Sequence, residues 1–343
     1  MRLAQRPTPL TPLARASDRW GRGKRLWVKR DDLTGSTLTG NKVRKLEFFA
    51  AYANQYGYTS FITCGGLQSN HARATAGVCA QLGLHCELVL RGRTPLEGGN
   101  TLLDALFGAE VTPVEPREYV KNLDALLHAT ADRHRQQGYQ PLVIPTGGSN
   151  GLGIWGYIAA AEELIADMAQ ARIEKALIVC ATGSGGTQAG LTAGFALLSP
   201  ESRVLGIAVC DDEHYFKEKV LDDVEQAKAH WADLSCPPDR IFTNDSYIGA
   251  GYGVAGPEVY KTICELAGLE GIVLDPVYTG KAFYGLITEL KKGEYQDVED
   301  IIFVHTGGVF GVFPHEQGLR EALSHAGKDT PAKRAIDVER NQL

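Results

Sequence analysis

The chain has 343 residues, of which 44% are hydrophobic and 22% charged, and its formal net charge at pH 7 is −6. This composition is typical of a globular protein and excludes collagen-like, fibrous and largely disordered chains. The acidic balance argues against a nucleic-acid partner that requires bulk positive charge. No apolar run approaches the roughly 20 residues that span a bilayer, so no membrane association is predicted.

The seven cysteines are dispersed along the chain and form no Cys-x-x-Cys pair. An odd, dispersed set of cysteines favours reduced thiols over a disulfide framework or a zinc site. The nine histidines show no spacing typical of metal ligands, so no metal is predicted. Residues 1–12 contain no apolar stretch of the secretory type, and a cytoplasmic location is therefore expected.

Short apolar runs alternate with segments of helical periodicity along the whole chain. The predicted strands are 26–29, 60–64, 86–90, 111–114, 142–145, 176–180, 204–209, 272–274 and 301–305. The predicted helices are 42–56, 70–82, 119–136, 153–171, 187–198, 217–231, 257–267 and 281–291. Continuous apolar strands that alternate with helices predict an α/β fold with mostly parallel sheets.

Nine strands in a chain of this length favour two sheets over one. We predict one sheet from the strands between 60 and 145. The second sheet combines the strand near residue 26 with the strands after about 175. The polar segment from about Gly327 is expected to fray.

Four predicted strands run directly into glycines and small polar residues. In parallel α/β sheets, ligands bind beyond the carboxyl ends of the strands. Four such loops predict a crevice lined by backbone N–H groups and hydroxyls, which suits an anionic ligand. The loops are 65–70, 146–150, 182–187 and 306–308.

The loop at 182–187 is the best candidate for binding a phosphate. Its glycines allow the backbone to wrap an oxyanion, and the helix that follows supplies free N–H donors at its N-terminus. It is not a Walker loop, because no Gly-Lys-Ser/Thr follows. The alternative interpretation is a tight strand-to-helix turn.

Lys42 is the candidate nucleophile. If Asn41 is the N-cap, Lys42 lies in the first helical turn, where the helix dipole lowers the pKa of its amine. A neutral amine in such a place is able to form a Schiff base. Lys45, one turn later on the same face, would reach a phosphate. The alternative is a solvated basic start of a helix.

Three further features carry candidate site residues. Ser69 or Asn70 is able to cap the helix after them, whose free amides would hold a carboxylate, and Ser69 is alternatively a catalytic hydroxyl. Tyr252 and Tyr278 each lie between turn-forming residues, and a phenol there either transfers protons or packs under a loop. Residues 251–256 satisfy Gly-x-Gly-x-x-Gly, but no convincing strand precedes them, so a nicotinamide-dependent oxidoreductase is only a weak alternative.

Taken together, these segments resemble the fold type II pyridoxal-phosphate enzymes, the tryptophan-synthase β-like group. Within that group the chain is similar to the D-cysteine desulfhydrase / 1-aminocyclopropane-1-carboxylate (ACC) deaminase family. The matching segments occur in the family's order and extend from residue 29 to residue 308. They are Lys-Arg-Asp-Asp at 29–32, Gly-Asn-Lys-Val-Arg-Lys-Leu-Glu at 40–47, Gln-Ser-Asn-His at 68–71, the loop 182–187, Gly-Tyr-Gly-Val at 251–254, Asp-Pro-Val-Tyr-Thr-Gly-Lys at 275–281, and His-Thr-Gly-Gly at 305–308.

The resemblance implies a fold, a cofactor and roles for individual residues. It implies a larger cofactor-binding domain (1–50 plus 160–343), a smaller domain (51–159) and an active site in the cleft between them. The cofactor would be pyridoxal 5′-phosphate, the substrate a small amino acid, and the assembly a homodimer. Lys42 would form the Schiff base, Ser69, Tyr252 and Tyr278 would act in catalysis, and Ser69, Asn70, His71 and Thr279 would contact the substrate. The cofactor would be held by Lys42, Lys45, Asn70, Thr182, Gly183, Ser184, Gly185, Gly186, Thr187 and Thr306.

Thr279 and Thr306 favour one activity within the family. The resemblance implies Glu and Leu at these positions in the deaminases and hydroxyls in the desulfhydrases. A hydroxyl near the pyridine nitrogen leaves a milder electron sink than a carboxylate, which is enough to expel a good β-leaving group. We therefore expect β-elimination of hydrosulfide from D-cysteine. The alternatives are an ACC deaminase, a lyase for L-cysteine, cysteate, β-chloroalanine or another β-substituted alanine, and a cofactor-binding protein without catalysis.

Overall fold

The computed structural model of the protein describes residues 1–93 and 98–326. Over these ranges the chain forms two β-sheets flanked by helices, as the alternation of apolar runs predicted. The segment from about Gly327 that was expected to fray lies outside the described residues. Within the described ranges, none of the helices combines the length and apolar character that a membrane span requires.

The strands and helices alternate along most of the chain. The strands are β1 (Leu10–Pro12), β2 (Arg25–Lys29), β3 (Ser60–Gly66), β4 (His85–Arg91), β5 (Glu110–Val114), β6 (Pro141–Val143), β7 (Ala176–Thr182), β8 (Arg203–Ala208), β9 (Phe242–Asn244) and β10 (Asp300–Val304). The helices are α1 (Ala14–Trp20), α2 (Asn41–Tyr56), α3 (Asn70–Leu82), α4 (Asn100–Leu106), α5 (Pro116–Gln136), α6 (Trp155–Gln170), α7 (Gly186–Leu198), α8 (Glu213–Ala227), α9 (Pro257–Glu270), α10 (Thr279–Lys292) and α11 (Glu316–Ala326).

The strands divide between two sheets as predicted. The larger sheet has the order β1-β2-β10-β7-β8-β9, and within it only the β1–β2 pair is antiparallel. The smaller sheet has the order β5-β4-β3-β6 and is entirely parallel. The proposed domain boundaries, at 50/51 and 159/160, separate the strands of the two sheets, but the division into domains stays a prediction.

Two kinds of difference separate the predicted elements from the observed ones. The predicted strand 272–274 is wrong, because this segment has no ladder partner and instead buries Ile272 and Leu274 in the core of the larger sheet. Several elements were missed because they are too short for a periodic pattern or lie at the edge of the fold. These are β1, α1, α4, β9 and α11.

The start of α2 is fixed by a close contact between two glycine backbones. A Cβ atom added to Gly307 would lie 2.6 Å from the Cα of Gly40, and one added to Gly40 would lie 2.7 Å from the carbonyl oxygen of Thr306. Both glycines have positive φ, +104° for Gly40 and +88° for Gly307. The backbone N–H of Asn41 donates to the carbonyl oxygen of Thr306 at 3.1 Å. The first turn of α2 is thereby held against the end of β10.

A buried ionic network fixes the same helix from its other side. Arg44 donates to both oxygens of Asp31, at 2.7 and 2.9 Å, and to both oxygens of Glu163, at 2.9 and 3.0 Å. The phenol of Tyr157 donates to Asp31 at 2.6 Å. Burial raises the pKa of Glu163, but the hydrogen bonds and charges of Arg44 and Lys29 outweigh it and lower that pKa to about 2. Breaking such a pair leaves a buried charge uncompensated, which costs about 3–5 kcal/mol.

We predict that Gly307→Ala destabilises the protein and displaces the first turn of α2. The new methyl group would meet the Gly40 backbone, and alanine would have to adopt a positive φ, which alone costs about 1–3 kcal/mol. Chemical denaturation would measure the loss in the free energy of unfolding. Gly268→Ala is the matched control, since a Cβ there meets open space inside α9 and is expected to stabilise by about 0.4–1 kcal/mol. Equal stability of the two variants would contradict the prediction.

Candidate active site

A cavity of about 180 Å³ lies at the carboxyl ends of strands from both sheets. Its walls include residues at the ends of β3, β4, β7 and β10, which is where open parallel sheets bind their ligands. The structure thus brings most of the predicted site residues together. Those that line the cavity are Lys42, Ser69, Asn70, His71, Gly183, Ser184, Thr187, Tyr252, Tyr278 and Thr306.

Lys42 lies in the first turn of α2, as predicted, and lines the cavity. A Cβ atom added to Gly147, whose φ is +67°, would lie 3.3 Å from its Nζ atom, so the amine rests against the 146–148 turn. Burial lowers the pKa of Lys42 to about 8. The direction of this shift agrees with the sequence prediction, although its cause is burial. A fraction of the Lys42 amine is therefore neutral at neutral pH, whereas an ordinary lysine is almost fully protonated there.

The predicted capping role of Asn41 is wrong. Gly40 is the N-cap of α2, and Asn41 is the first helical residue. Its side-chain amide donates instead to the hydroxyl of Thr187 at 2.9 Å. The Asn41 side chain therefore links α2 to the first turn of α7 by a hydrogen bond, and this link positions Lys42 relative to the glycine loop.

The glycine loop between β7 and α7 is closely packed on both sides. A Cβ on Gly183 would lie 3.1 Å from the ring of Tyr278, and one on Gly186 would lie 2.6 Å from Ser149 Oγ and 2.8 Å from Lys45 Nζ. Gly185 has a φ of +82° and caps α7 without a side chain. The loop therefore presents a bare helix N-terminus, and such a terminus attracts anions.

Lys45 acts on this loop from behind. Its Nζ atom donates to Ser149 Oγ at 2.9 Å and to the carbonyl oxygen of Gly147 at 3.2 Å. Ser149 Oγ also accepts the N–H of Gly186 at 3.2 Å and lies 2.8 Å from Ser184 Oγ. Because Ser149 Oγ accepts twice, its hydroxyl proton is available for Ser184. Lys45 is not part of the cavity lining, and burial lowers the pKa of its amine well below the ordinary lysine value. It reaches the loop through its hydrogen bond to Ser149.

The remaining predicted residues of this loop also lie behind the lining. Thr182 has a buried hydroxyl without a hydrogen-bond partner among the described residues. Gly185 and Gly186 are part of the turn into α7 and do not line the cavity themselves. A buried unpaired hydroxyl at a strand end is consistent with a ligand that would satisfy it.

Ser69, Asn70 and His71 form the start of α3. Ser69 caps this helix, since its hydroxyl accepts the N–H of Ala72 at 3.1 Å. The hydroxyl of Thr63 donates to the carbonyl oxygen of Ile144, so it must accept the Nε2–H of His71. This leaves the Nδ1 of His71 as an acceptor, and burial lowers the pKa of the ring well below its ordinary value. A carboxylate at this loop would therefore bind to the backbone N–H groups and not to the imidazole.

Tyr252 and Tyr278 meet in the lining of the cavity. Their phenol oxygens are hydrogen-bonded and their rings are arranged edge to face, with centroids 5.8 Å apart. Burial raises the pKa of both phenols. Lys281 donates to the carbonyl oxygens of Ile248 and Gly251, which holds the loop that carries Tyr252. Both phenols are thus neutral proton donors at physiological pH.

Thr279 does not line the cavity. Its hydroxyl donates to Asp275 Oδ1 at 2.7 Å and accepts the backbone N–H of the same aspartate at 2.9 Å. Asp275 also accepts the backbone N–H groups of Val277, Tyr278 and Thr279, each at 2.9 Å. Thr279 therefore holds the turn that places Tyr278, and its predicted contact with the substrate stays a prediction.

Sequence reasoning gave no site role to several cavity residues, and besides Asn41 four of these have polar side chains. Asp275 begins the Asp-Pro-Val-Tyr-Thr-Gly-Lys segment at 275–281, but the sequence does not show that its carboxylate accepts four hydrogen bonds from the same turn. Thr146 follows β6 in the glycine loop 146–150, for which the sequence predicts a place in the crevice but no role for a particular side chain. Arg91 and Tyr119 lie at the end of β4 and in α5, and no local sequence signal marked them.

The Gly-x-Gly-x-x-Gly match at 251–256 forms a series of turns after the short edge strand β9 and before α9. A dinucleotide site needs such glycines between a strand and the helix it leads into. Here Tyr252 from this segment instead lines the cavity. The structure thus gives no support to a nicotinamide site at this position.

Comparisons with known proteins give a consistent result. A family model described as pyridoxal-phosphate dependent enzyme matches residues 1–307. A crystal structure of an ACC deaminase homologue is 36% identical, with a TM-score of 0.83, over 93% of this chain and 95% of that chain. A hydrogen sulfide-producing enzyme from Fusobacterium nucleatum is 16% identical, with a TM-score of 0.63, over 88% of this chain and 94% of that chain. A threonine deaminase from T.th. is 21% identical, with a TM-score of 0.62, over 88% and 92% respectively. The last two likenesses show the fold alone.

We predict that Lys42 in the ligand-free protein reacts with an acylating reagent with a pH midpoint of about 8. Only the neutral amine is nucleophilic, so its labelling should rise through this range, whereas ordinary exposed lysines rise near pH 10.4. Peptide mass spectrometry after brief labelling would measure the labelling of Lys42 and of the exposed lysines in one sample. A midpoint for Lys42 equal to that of exposed lysines would contradict the effect of burial.

Proposed function

Since this chain belongs to the family of pyridoxal-phosphate dependent enzymes and its cofactor is pyridoxal phosphate, we propose that it catalyses β-elimination of hydrosulfide from D-cysteine. The products are pyruvate, ammonia and sulfide. The observation that carries the proposal is a single cavity that contains the Lys42 amine, the Thr306 hydroxyl and the Tyr252–Tyr278 pair.

The residues of the cavity fit the cofactor. Gly183, Ser184 and Thr187 line the cavity at the bare N-terminus of α7, which suits a phosphate, and the unpartnered hydroxyl of Thr182 lies at the end of β7. Lys42 would hold the aldehyde carbon, Asn70 the ring hydroxyl and Thr306 the pyridine nitrogen. When bound, pyridoxal phosphate supplies an electron sink for the pair left at the substrate Cα.

Lys42 also serves as the base in this proposal. An amine with a pKa of about 8 is partly neutral near pH 7, so it is able to accept the Cα proton. The backbone N–H groups at the start of α3 would hold the substrate carboxylate, because the first N–H groups of a helix have no intrahelical partner. Ser69, which caps this helix, would be a second proton-transfer group.

The neutral phenols of Tyr252 and Tyr278 suit protonation of a departing sulfur. Burial raises the pKa of each, so each retains its proton at neutral pH and is able to donate it. Their mutual hydrogen bond allows the donated proton to be replaced from the second phenol. This arrangement supports general-acid assistance at the β-substituent.

An ACC deaminase activity is the second candidate. The 36% identity to a protein described as an ACC deaminase homologue favours it. Thr279 and Thr306 argue against it, because the resemblance implies Glu and Leu at these two positions in the deaminases. L-cysteine, cysteate and other β-substituted alanines remain alternative substrates, and the homodimer and cytoplasmic location implied by the resemblance remain predictions.

We predict that the purified holoenzyme releases pyruvate from D-cysteine and that Lys42→Ala abolishes this release. The variant loses both the covalent attachment point and the base. The measurement is pyruvate formation across a panel of D-cysteine, L-cysteine, cysteate, β-chloroalanine and 1-aminocyclopropane-1-carboxylate. Lys261→Ala, an exposed lysine on α9, is the matched control and should retain full activity.

Two results would overturn this proposal. Elimination at an undiminished rate by Lys42→Ala would remove the central role of the amine. Rapid turnover of the cyclopropane substrate with none of D-cysteine would replace the proposed activity by the deaminase. Cofactor binding without product from any member of the panel would instead indicate a non-catalytic protein.

We predict that Tyr278→Phe lowers kcat for D-cysteine by about 10²–10⁴-fold while the cofactor remains bound. The reason is loss of the proton donor, and the ring itself is retained. Steady-state kinetics and the visible absorbance of the holoenzyme would measure the two properties separately. Tyr56→Phe, on the exposed side of α2, is the control. Unchanged kcat in both Tyr278→Phe and Tyr252→Phe would show that neither phenol transfers the proton.

A further inference from the structure

Arg91 is a cavity residue to which the proposed elimination assigns no role. It is the last residue of β4 and pairs in register with Gly66 of β3 and Val114 of β5. Its side chain is half-buried and lines the cavity together with Lys42, Tyr119 and Tyr252. The carboxyl end of the smaller sheet thus directs a guanidinium into the site.

The guanidinium is held by aromatic rings. Its central carbon lies 5.9 Å from the ring centroid of Tyr119 and 5.7 Å from that of Tyr252. Among the described residues, no carboxylate pairs with it and no side-chain hydrogen bond engages it. Stacking uses the faces of a guanidinium and leaves its N–H edge available for a planar or tetrahedral anion.

The other charged groups of the cavity do not neutralise Arg91. Asp275 is the carboxylate of the lining, and its two oxygens already accept four hydrogen bonds from its own turn. His71 is neutral, with its Nε2–H donated to Thr63. In the proposed function, the amine of Lys42 is bound to the cofactor. Arg91 is then the remaining cation in the lining, with its charge unmatched by protein.

We propose that Arg91 binds a negative charge on the β-substituent of the substrate, so that the site takes a small amino acid whose β-carbon carries an anionic group such as a sulfonate. This inference rests on the β-elimination of the proposed function and extends its substrates from D-cysteine to alanines with an anionic β-substituent. An anionic ligand in the cavity would supply the counter-charge that the protein does not give this half-buried guanidinium, through charge-assisted hydrogen bonds. The cavity of about 180 Å³ restricts that ligand to a short chain.

The position of Arg91 assigns it to the β-substituent and not to the α-carboxylate. The backbone N–H groups at the start of α3 are the site for the carboxylate. Arg91 instead contacts Tyr252, which is hydrogen-bonded to Tyr278, and these phenols are the groups proposed to act at the departing sulfur. The Arg91 guanidinium and the two phenols would therefore all contact the β-substituent of the substrate.

For a sulfonate, the elimination balances as follows. Lys42 accepts the Cα proton, the Cβ–S bond breaks, and the sulfur departs with the bonding electron pair as sulfite. Water then hydrolyses the remaining three-carbon fragment to pyruvate and ammonia. Overall, cysteate and water give pyruvate, ammonia and sulfite, and no oxidant or reductant is required.

Calorimetry with two unreactive analogues tests the inference without turnover. β-Sulfopropionate and β-(methylsulfonyl)propionate share a carboxylate and a similar shape, but only the first has a charged β-group, and neither has an amine. We expect the wild-type holoenzyme to bind the sulfonate at least about tenfold more tightly, as one charge-assisted hydrogen bond to arginine would provide. Arg91→Leu should remove this difference, and Arg91→Lys should retain part of it.

Arg93→Leu is the matched control. Arg93 is exposed, pairs with Glu115 at 2.6 Å and does not line the cavity, so its loss should leave the preference for the sulfonate unchanged. Equal affinity of the wild-type enzyme for both analogues would overturn the inference. So would an equal loss of both affinities in Arg91→Leu, since that result would place the shared carboxylate on Arg91.

Turnover provides a second, separable measurement. We expect Arg91→Leu to lower kcat/KM for cysteate, measured as sulfite release, at least about tenfold more than kcat/KM for cysteine, measured as sulfide release. Both enantiomers of each substrate are compared. If the wild-type enzyme eliminates hydrosulfide but shows no preference for the anionic analogue, the proposed function stands and only the substrate class is wrong. If Lys42→Ala retains elimination, the proposed function itself fails, while the binding comparison still reports on Arg91.

Discussion

The close approach of the Gly40 and Gly307 backbones is the constraint on which the site depends. Neither position tolerates a Cβ, because each backbone occupies the space where the other's side chain would lie. The contact brings the first turn of α2, with Lys42, to the end of β10, with Thr306. The amine and the hydroxyl are therefore placed by main-chain packing and not by the flexibility of a lysine side chain. The Arg44–Asp31 network then prevents α2 from turning about this contact.

Burial of side chains that line the cavity also sets the protonation states that the proposed chemistry requires. The same exclusion of water lowers the pKa of Lys42 to about 8 and raises the pKa values of Tyr252 and Tyr278. A base that loses its proton easily and acids that retain theirs thus share one cavity. The general relation is that groups whose environments move their pKa values in opposite directions become a base and its acid partners.

Much of this arrangement follows from the sequence, and the rest is absent from it for physical reasons. The two sheets, the position of Lys42 in the first helical turn and the glycine loop before α7 follow from local patterns that bury apolar strands or free a helix N-terminus. The roles of Asn41 and Thr279 do not follow from it. The sequence pattern favours an N-cap for Asn41 and the resemblance implies a substrate contact for Thr279, whereas their side chains bind Thr187 and Asp275. Ser149 and Arg91 were not found because their functional contacts are made with residues distant in sequence. The segment 272–274 shows the same limit, since an apolar run is buried equally well by a strand or by a loop.

The two sheets contribute to the cavity in chemically different ways. The larger sheet supplies the glycine loop after β7 and the end of β10. Helix α2, which carries Lys42, packs its apolar residues in one core with β3 and β4 of the smaller sheet. The smaller sheet supplies Ser69 after β3 and Arg91 at the end of β4, which in the proposed function would meet the substrate through a helix N-terminus and a side chain. A side chain at a strand end is replaceable without disturbing the ladder, because only its backbone pairs with neighbouring strands. In the proposed function, contacts with cofactor and substrate therefore come from both sheets, with Tyr278 and Thr306 on the side of the larger sheet and Ser69 and Arg91 at the strand ends of the smaller one.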